Sequence, residues 1–151
     1  MASAFEDTPA RLRALPSRLL TQVATHAQRL VTQGLAGADA RRYHYALLAT
    51  LEEFGPASQA VLGRRCGMDR SDVVATVNEL AQREMVRRTP DPEDRRRNVV
   101  TITEAGIQAL HQLDELLESL QDELLAPLST EERDQLVLLL ARLLEHHSRA
   151  P

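Results

Sequence analysis

The sequence contains no lysine and no tryptophan, a single cysteine, and only 3% aromatic residues. Each scarcity excludes something. One cysteine, Cys66, rules out an intramolecular disulfide framework and fits a reducing cytoplasm, which is the expected location. With so few rings, the core must be assembled from Leu, Val, Ile and Ala, and Leu-rich chains of this kind favour helix. No apolar run approaches the roughly 20 residues that a membrane-crossing helix needs. No basic, apolar, small-residue leader pattern is present, so no secretory signal is expected. A nucleophile elbow, a Gly-rich phosphate loop and metal-ligand spacing are also missing. The five histidines are scattered, and the adjacent His146 and His147 point to different faces of a helix. Asp91, Glu93 and Asp94 lie together, but in a turn beside arginines, a poor setting for acid–base chemistry. No enzyme, cofactor or metal centre is therefore expected.

What is present is a 151-residue chain with ordinary apolar and charged content, 43% and 26%, sufficient for one domain or one domain carrying a dimer interface. All 18 basic side chains are arginine, the residue suited to planar, bidentate recognition of phosphate and guanine. The net charge is -4, unevenly spread: Gly55–Thr103 carries nine arginines against seven acids, or +2, which leaves -6 for the remainder. A basic middle between acidic arms is the asymmetry of a nucleic-acid module on a structural frame.

Apolar periodicity from Leu12 through Leu19, Val23, Leu30 and Val31 predicts a helix from about Ala10 or Ser17 to Gln33, with Pro16 at a kink or first turn and Gly34 and Gly37 at its end. A second helix spans about Ala38–Phe54. Ser58 caps a short third helix, "QAVLGRRC", and Gly67 turns the chain. Asp69 caps a fourth helix, with Val73, Val77 and Leu80 on its inner face. "MVRRT" and "NVVTIT" read as strands joined by "PDPEDRRR". Thr103 then caps a helix with Gly106, Leu110, Leu113, Leu117, Leu120 and Leu124 in a heptad-like seam. "STEE" at 129–132 is a capping box for a last helix. Residues 1–9 are expected to fray.

Two short helices around a glycine turn form a helix-turn-helix signature. The helix then runs into a hairpin with a basic tip, which makes a winged helix: the helix suits a major groove and the tip arginines an adjacent minor groove. Here "DRSDVVATVNELAQREMVRRTPDPEDRRRNVVTITEAG" resembles the MarR family of bacterial transcription regulators, chiefly in Asp94-x-Arg96, Val100-x-Ile102-Thr103 and Glu104-Ala105-Gly106. The fold class implied is mainly α (α+β). Residues 38–103 form the winged helix-turn-helix lobe, and 10–37 with 104–148 form a helical dimerisation region.

The resemblance further implies a homodimeric repressor on a pseudo-palindromic double-stranded DNA operator, released by a small phenolic or aromatic acid. By position, Asp94 orients the wing by pairing with Arg96, the minor-groove candidate, and Arg95 and Arg97 flank it on phosphates; either of those two could enter the groove instead. Arg70, Ser71, Asp72, Val74 and Ala75 fall near the groove-facing positions of the recognition helix. Some members carry arginine at the place of Ala75, so the operator should differ from theirs. Ser58 and Gln59 are phosphate candidates. Arg64 and Arg65 are open between phosphate, Glu84 and water. Cys66 is expected as a packed core thiol. Where frame meets lobe, Tyr43, His44 and Tyr45 offer rings and hydrogen bonds, and Arg18 or Arg41 a partner for a carboxylate; simple packing of Tyr43 and His44 between helices is the alternative. The second function considered is a helical protein-interaction module using the 106–124 seam.

Overall fold

A computed structural model of the chain describes residues 5–149. The elements are α1 (Ala10–Arg13), α2 (Pro16–Gly37), α3 (Arg42–Phe54), β1 (Ala57–Ser58), α4 (Gln59–Cys66), α5 (Arg70–Gln82), β2 (Val86–Pro90), β3 (Asn98–Ile102), α6 (Glu104–Leu124) and α7 (Thr130–Ser148). The expected helix-turn-helix followed by a hairpin is present. Of the tail expected to fray, residues 1–4 lie outside the described residues; at Phe5–Pro9, Thr8 N–H donates to the Phe5 carbonyl at 3.3 Å and the Arg13 guanidinium lies over the Phe5 ring.

Pro16 occupies the first turn of α2, where its missing N–H has no helical partner to lose. The helix does not end near Gly34 as expected; it continues to Gly37. Gly34 instead permits close packing on α6, because a Cβ there would stand 2.5 Å from Leu120 Cδ1. The turn that follows is closed by Ala40 N–H on the Leu35 carbonyl, with Asp39 left-handed at φ 53°. That turn delays α3 to Arg42, four residues later than the pattern suggested.

The sheet is antiparallel with order β1-β3-β2. Ala57 faces Val100, and Arg88 faces Val100 from the other side. β1 was not expected: it is two residues long, follows Pro56, and ends on the Ser58 that also caps α4. Leu47, Leu48, Leu51, Leu62, Val73, Val77, Leu80, Val86, Val100 and Leu110 form one continuous core joining α3, α4, α5, the sheet and α6. Leu35, Ala40 and Leu113 make a second cluster where α2 meets α6. Cys66 packs against the main core, its Sγ donating to the Ala46 carbonyl at 3.6 Å.

The seam on α6 is taken up inside the chain: Gly106, Leu110, Leu113 and Leu120 are buried. That removes the surface on which an interaction-module reading depended. The opposite holds for α7, which has no buried residue and leaves Val137, Leu138 and Leu144 between 60% and 70% exposed. Leu12 of α1, Leu15 just before α2, and Leu20 and Val23 of α2 are exposed as well. No helix among the described residues is long and apolar enough to cross a membrane.

Candidate nucleic-acid interface

The turn that presents α5 is set locally. Gly67 takes the left-handed conformation at φ 63°, and its successor Met68 donates its N–H to the Gly63 carbonyl. Asp69 then caps α5: its Oδ1 accepts from Asp72 N–H at 2.9 Å and from the Ser71 hydroxyl at 2.7 Å. The Asp72 N–H, followed by the Ser71 hydroxyl, holds the Asp69 carboxyl below its ordinary range. Ser71 therefore spends its hydrogen on the cap and offers only lone pairs outward. Arg70, Ser71, Val74 and Ala75 share one exposed face of α5, with Asn78 a turn further on. Asp72 is half-buried and does not join them in that shallow surface.

Beside this face lies a cleft of about 800 Å³ between α4, the start of α5 and the base of the wing. Ser58, Gln59, Arg64, Arg70 and Arg97 all line it. Three arginines from separate parts of the chain thus line one hollow together with the start of α4. Ser58 Oγ accepts from Val61 N–H at 3.3 Å as the cap of α4, which leaves its own hydrogen to donate. Of the two uncertain arginines, Arg64 lines the cleft, whereas Arg65 lies 4.5 Å over the ring of Phe54.

The wing tip is a loop of nested turns. Asp91 N–H donates to the Arg97 carbonyl at 2.8 Å, and Arg97 N–H to the Asp94 carbonyl at 2.9 Å. The side-chain pairing expected between Asp94 and Arg96 is not what forms. Asp94 Oδ1 accepts the backbone N–H of Arg96 at 3.0 Å, and Oδ2 pairs with Arg97 Nε at 3.5 Å. The reason is local: an aspartate in a turn reaches the N–H two residues on before it can reach that residue's side chain. Asp94 shapes the loop, and Arg95 and Arg96 remain exposed.

The residues expected at the junction of frame and lobe divide. Tyr43 and Tyr45 line a hollow of about 280 Å³ with Val31, Leu35, Arg42 and Cys66. A neighbouring hollow of about 350 Å³ shares Leu35, Arg42 and Tyr43, and Arg41 lines it too. His44 faces elsewhere. It is buried, its Nδ1 accepts Arg41 N–H at 3.1 Å, and its Nε2–H donates to Glu79 at 2.6 Å. Arg41 Nη1 reaches the same carboxylate at 3.3 Å. Arg18 lies far back along α2 and lines neither hollow. The cation beside both tyrosines is Arg42, which sequence reasoning passed over, as it did Asn78 and Arg88. A search for cations one helical turn from the Tyr43–Tyr45 pair would have raised Arg42.

Residues 39–97 match the model of the MarR family. A putative transcriptional regulatory protein for the hcr operon of Thauera aromatica is 33% identical over 107 residues, 71% of this chain and 64% of that relative's length. A crystal structure of a probable transcriptional regulator from Pseudomonas aeruginosa superposes with TM-score 0.76 at 34% identity, covering 88% of this chain and 99% of that one. The chain belongs to the MarR family. Its winged-helix fold is that of MarR regulators. The PcaV transcriptional regulator from Streptomyces coelicolor, solved in complex with its natural ligand, is similar at 25% identity and TM-score 0.73, covering 91% of this chain and 97% of that one.

Proposed function

We propose that this MarR-family chain is a sequence-specific transcription regulator that binds duplex DNA as a homodimer, represses from a pseudo-palindromic operator, and is released by a small aromatic acid. The observation that carries DNA binding is the cleft where Arg64, Arg70 and Arg97 converge beside the open face of α5. A phosphate backbone fits that cleft while α5 lies in the major groove, with Arg70, Ser71, Val74 and Ala75 towards the bases. Ser58 and Gln59 donate to phosphate. The exposed Arg96, flanked by Arg95, reaches the minor groove from the wing. The dimer reading is supported by the bare leucines of α1, α2 and α7, and places 10–37 and 104–148 in the dimerisation frame and 38–103 in the DNA lobe. The ligand reading is supported by the hollow that joins Arg42 to two tyrosine rings, and by the ligand-bound PcaV.

Fluorescence anisotropy on a labelled duplex tests the reading. Log affinity should fall linearly with log salt, with a slope of about -0.9 for every phosphate neutralised. Arg96→Ala should weaken binding about tenfold or more and lower the salt slope. Asp94→Ala should weaken it less, through loss of loop shape, with the melting temperature unchanged. An Arg96→Ala protein that binds like the wild type at moderate salt would overturn the assignment of the wing.

A further inference from the structure

We propose that Arg88 sets the base preference of the recognition surface by holding the side-chain amides of Asn78 and Gln59 as hydrogen-bond donors. The inference rests on the DNA-binding reading above and names a residue that does not itself meet DNA. Arg88 stands in β2, half-buried, and its guanidinium reaches both helices of the helix-turn-helix. Nη2 donates to Asn78 Oδ1 on α5, and Nε donates to Gln59 Oε1 on α4 at 3.4 Å.

Arginine has donors and no acceptor, so the oxygen of each amide must face it. Chemistry alone fixes which way both amides turn. Each then presents its NH2 outward. Asn78 does so on the open face of α5, one turn beyond Val74 and Ala75. Gln59 does so in the arginine-lined cleft.

The consequence is a restriction on readout. An asparagine that selects adenine uses both ends of its amide, accepting from N6–H and donating to N7. One of the two lone pairs on the Asn78 oxygen is engaged by Arg88, and the adjacent guanidinium charge disfavours a second donor on the other, so Asn78 acts through its donating half. A donor is satisfied by N7 of either purine, by O6 of guanine or by O4 of thymine. It is repelled by the N4 amino group of cytosine. Asn78 therefore excludes cytosine and accepts guanine as readily as adenine. In the cleft, the outward NH2 of Gln59 suits a phosphate oxygen.

The test is selection from a pool of randomised duplexes by wild-type protein, Asn78→Ala, Arg88→Met and Arg88→Lys, each checked for fold by circular dichroism. Arg88→Met keeps the apolar stem and removes every donor. Arg88→Lys keeps the charge, and one ammonium cannot span both amides, so either variant that folds frees an amide. Asn78→Ala identifies the base position that Asn78 reads. There the wild type should accept guanine, adenine and thymine and deplete cytosine. Arg88→Met, which frees both amides, should shift that position towards adenine by about fivefold or more, as Asn78 regains its bidentate contact. The proposal is overturned if the wild type already selects adenine alone there, if Arg88→Met keeps the wild-type preference, or if Asn78→Ala changes no position. A wild-type protein that enriches no sequence at all defeats the DNA-binding reading itself, and the inference with it.

Discussion

His44 donates its Nε2–H to Glu79 across 2.6 Å and so ties the first turn of α3 to α5. Its other nitrogen accepts the Arg41 N–H at the start of the helix. Both ring nitrogens are used, and the tautomer is set: Nδ1 bare, Nε2 protonated. His44→Leu keeps the bulk and strips both bonds, leaving the part-buried Arg41 N–H and the Glu79 carboxylate each short of a partner. It should lower stability by about 1–3 kcal/mol, read as a fall of several degrees in melting temperature. Glu79→Gln keeps an acceptor for His44 and loses only the exposed Arg41 pair, so it should cost under about 1 kcal/mol. Equal melting temperatures for His44→Leu and the wild type would remove the bridge from the account.

Two glycines at helix contacts should respond differently to alanine. At Gly106 a Cβ would stand 2.1 Å from the Met85 carbonyl oxygen, backbone that cannot step aside without moving the start of β2. Thr103 locks the same corner, donating to the Glu84 carbonyl at 2.6 Å and accepting from Gly106 N–H at 3.1 Å. Gly106→Ala should cost about 3 kcal/mol or more. At Gly34 the obstacle is the end of the Leu120 side chain, and alanine regains up to about 1 kcal/mol of helix propensity. Gly34→Ala should lie within about 1 kcal/mol of the wild type. Chemical denaturation of the two variants decides it; a mild Gly106→Ala or a severe Gly34→Ala contradicts this account of the packing.

How far these features could be read beforehand depends on their range. Ser58, Asp69, Thr103 and Ser129 each cap a helix as expected, because a cap involves only the next three residues. The wing tip was legible as a loop and Asp94 does hold Arg96, but by its backbone N–H, while the side-chain pair goes to Arg97; sequence spacing does not distinguish a backbone N–H from a side chain. β1 escaped because two residues carry no alternation. The His44–Glu79 and Arg88–Asn78 contacts join separate elements, and no local pattern announces which faces meet once the chain packs. Arg42 differs: it stands three residues before Tyr45 on α3, a local spacing, and only the hollow they share needs α2 and α6 in place.

Tyr45 should give the protein a stability term that disappears in alkali. Its hydroxyl donates to Asp114 on α6 at 2.7 Å. That bond first, then burial and the charges of Asp114 and Glu52, raises its pKa above the ordinary 10.0. A group whose pKa rises on folding stabilises the fold fully below its unfolded value, and the benefit fades as pH climbs through the folded one. Tyr45→Phe should therefore be less stable than the wild type by about 1 kcal/mol at neutral pH, with the gap closing above pH 10.0. Melting curves of both proteins across that range measure it; a gap that widens in alkali has the wrong sign for this assignment.

The bare face of α7 should be an interface between two copies of the chain. A 19-residue helix with no buried residue gains little from its own chain, whereas most helical stability in proteins comes from packing an apolar face. Pairing with a second copy would cover Val137, Leu138 and Leu144 together with Leu12, Leu15 and Val23. Sedimentation at micromolar concentration should give twice the mass of one chain. Leu138→Asp with Leu144→Asp should give the single-chain mass and weaken DNA binding, because only paired lobes can meet two half-sites about one helical turn apart. A monomeric wild type, or a double variant that sediments unchanged, argues against the frame.

Arg42 should decide whether the hollow beside Tyr43 and Tyr45 takes a carboxylate. The two hollows that share Leu35, Arg42 and Tyr43 measure about 280 and 350 Å³, room for a single-ring acid. A guanidinium next to two phenols offers a bidentate partner for the carboxylate and ring faces for the aromatic body. A panel of benzoic and pyridine carboxylic acids, scanned by thermal shift, should contain members that raise the melting temperature. A ligand present at a hundred times its Kd adds about 2.7 kcal/mol. The same compounds should weaken the duplex complex in anisotropy. Arg42→Ala should melt like the unliganded wild type and lose the shift, since Arg42 is exposed and its removal leaves no buried group unpaired. A shift that survives Arg42→Ala would place the acid elsewhere, and a panel without any active member would leave the hollow as packing between α2, α3 and α6.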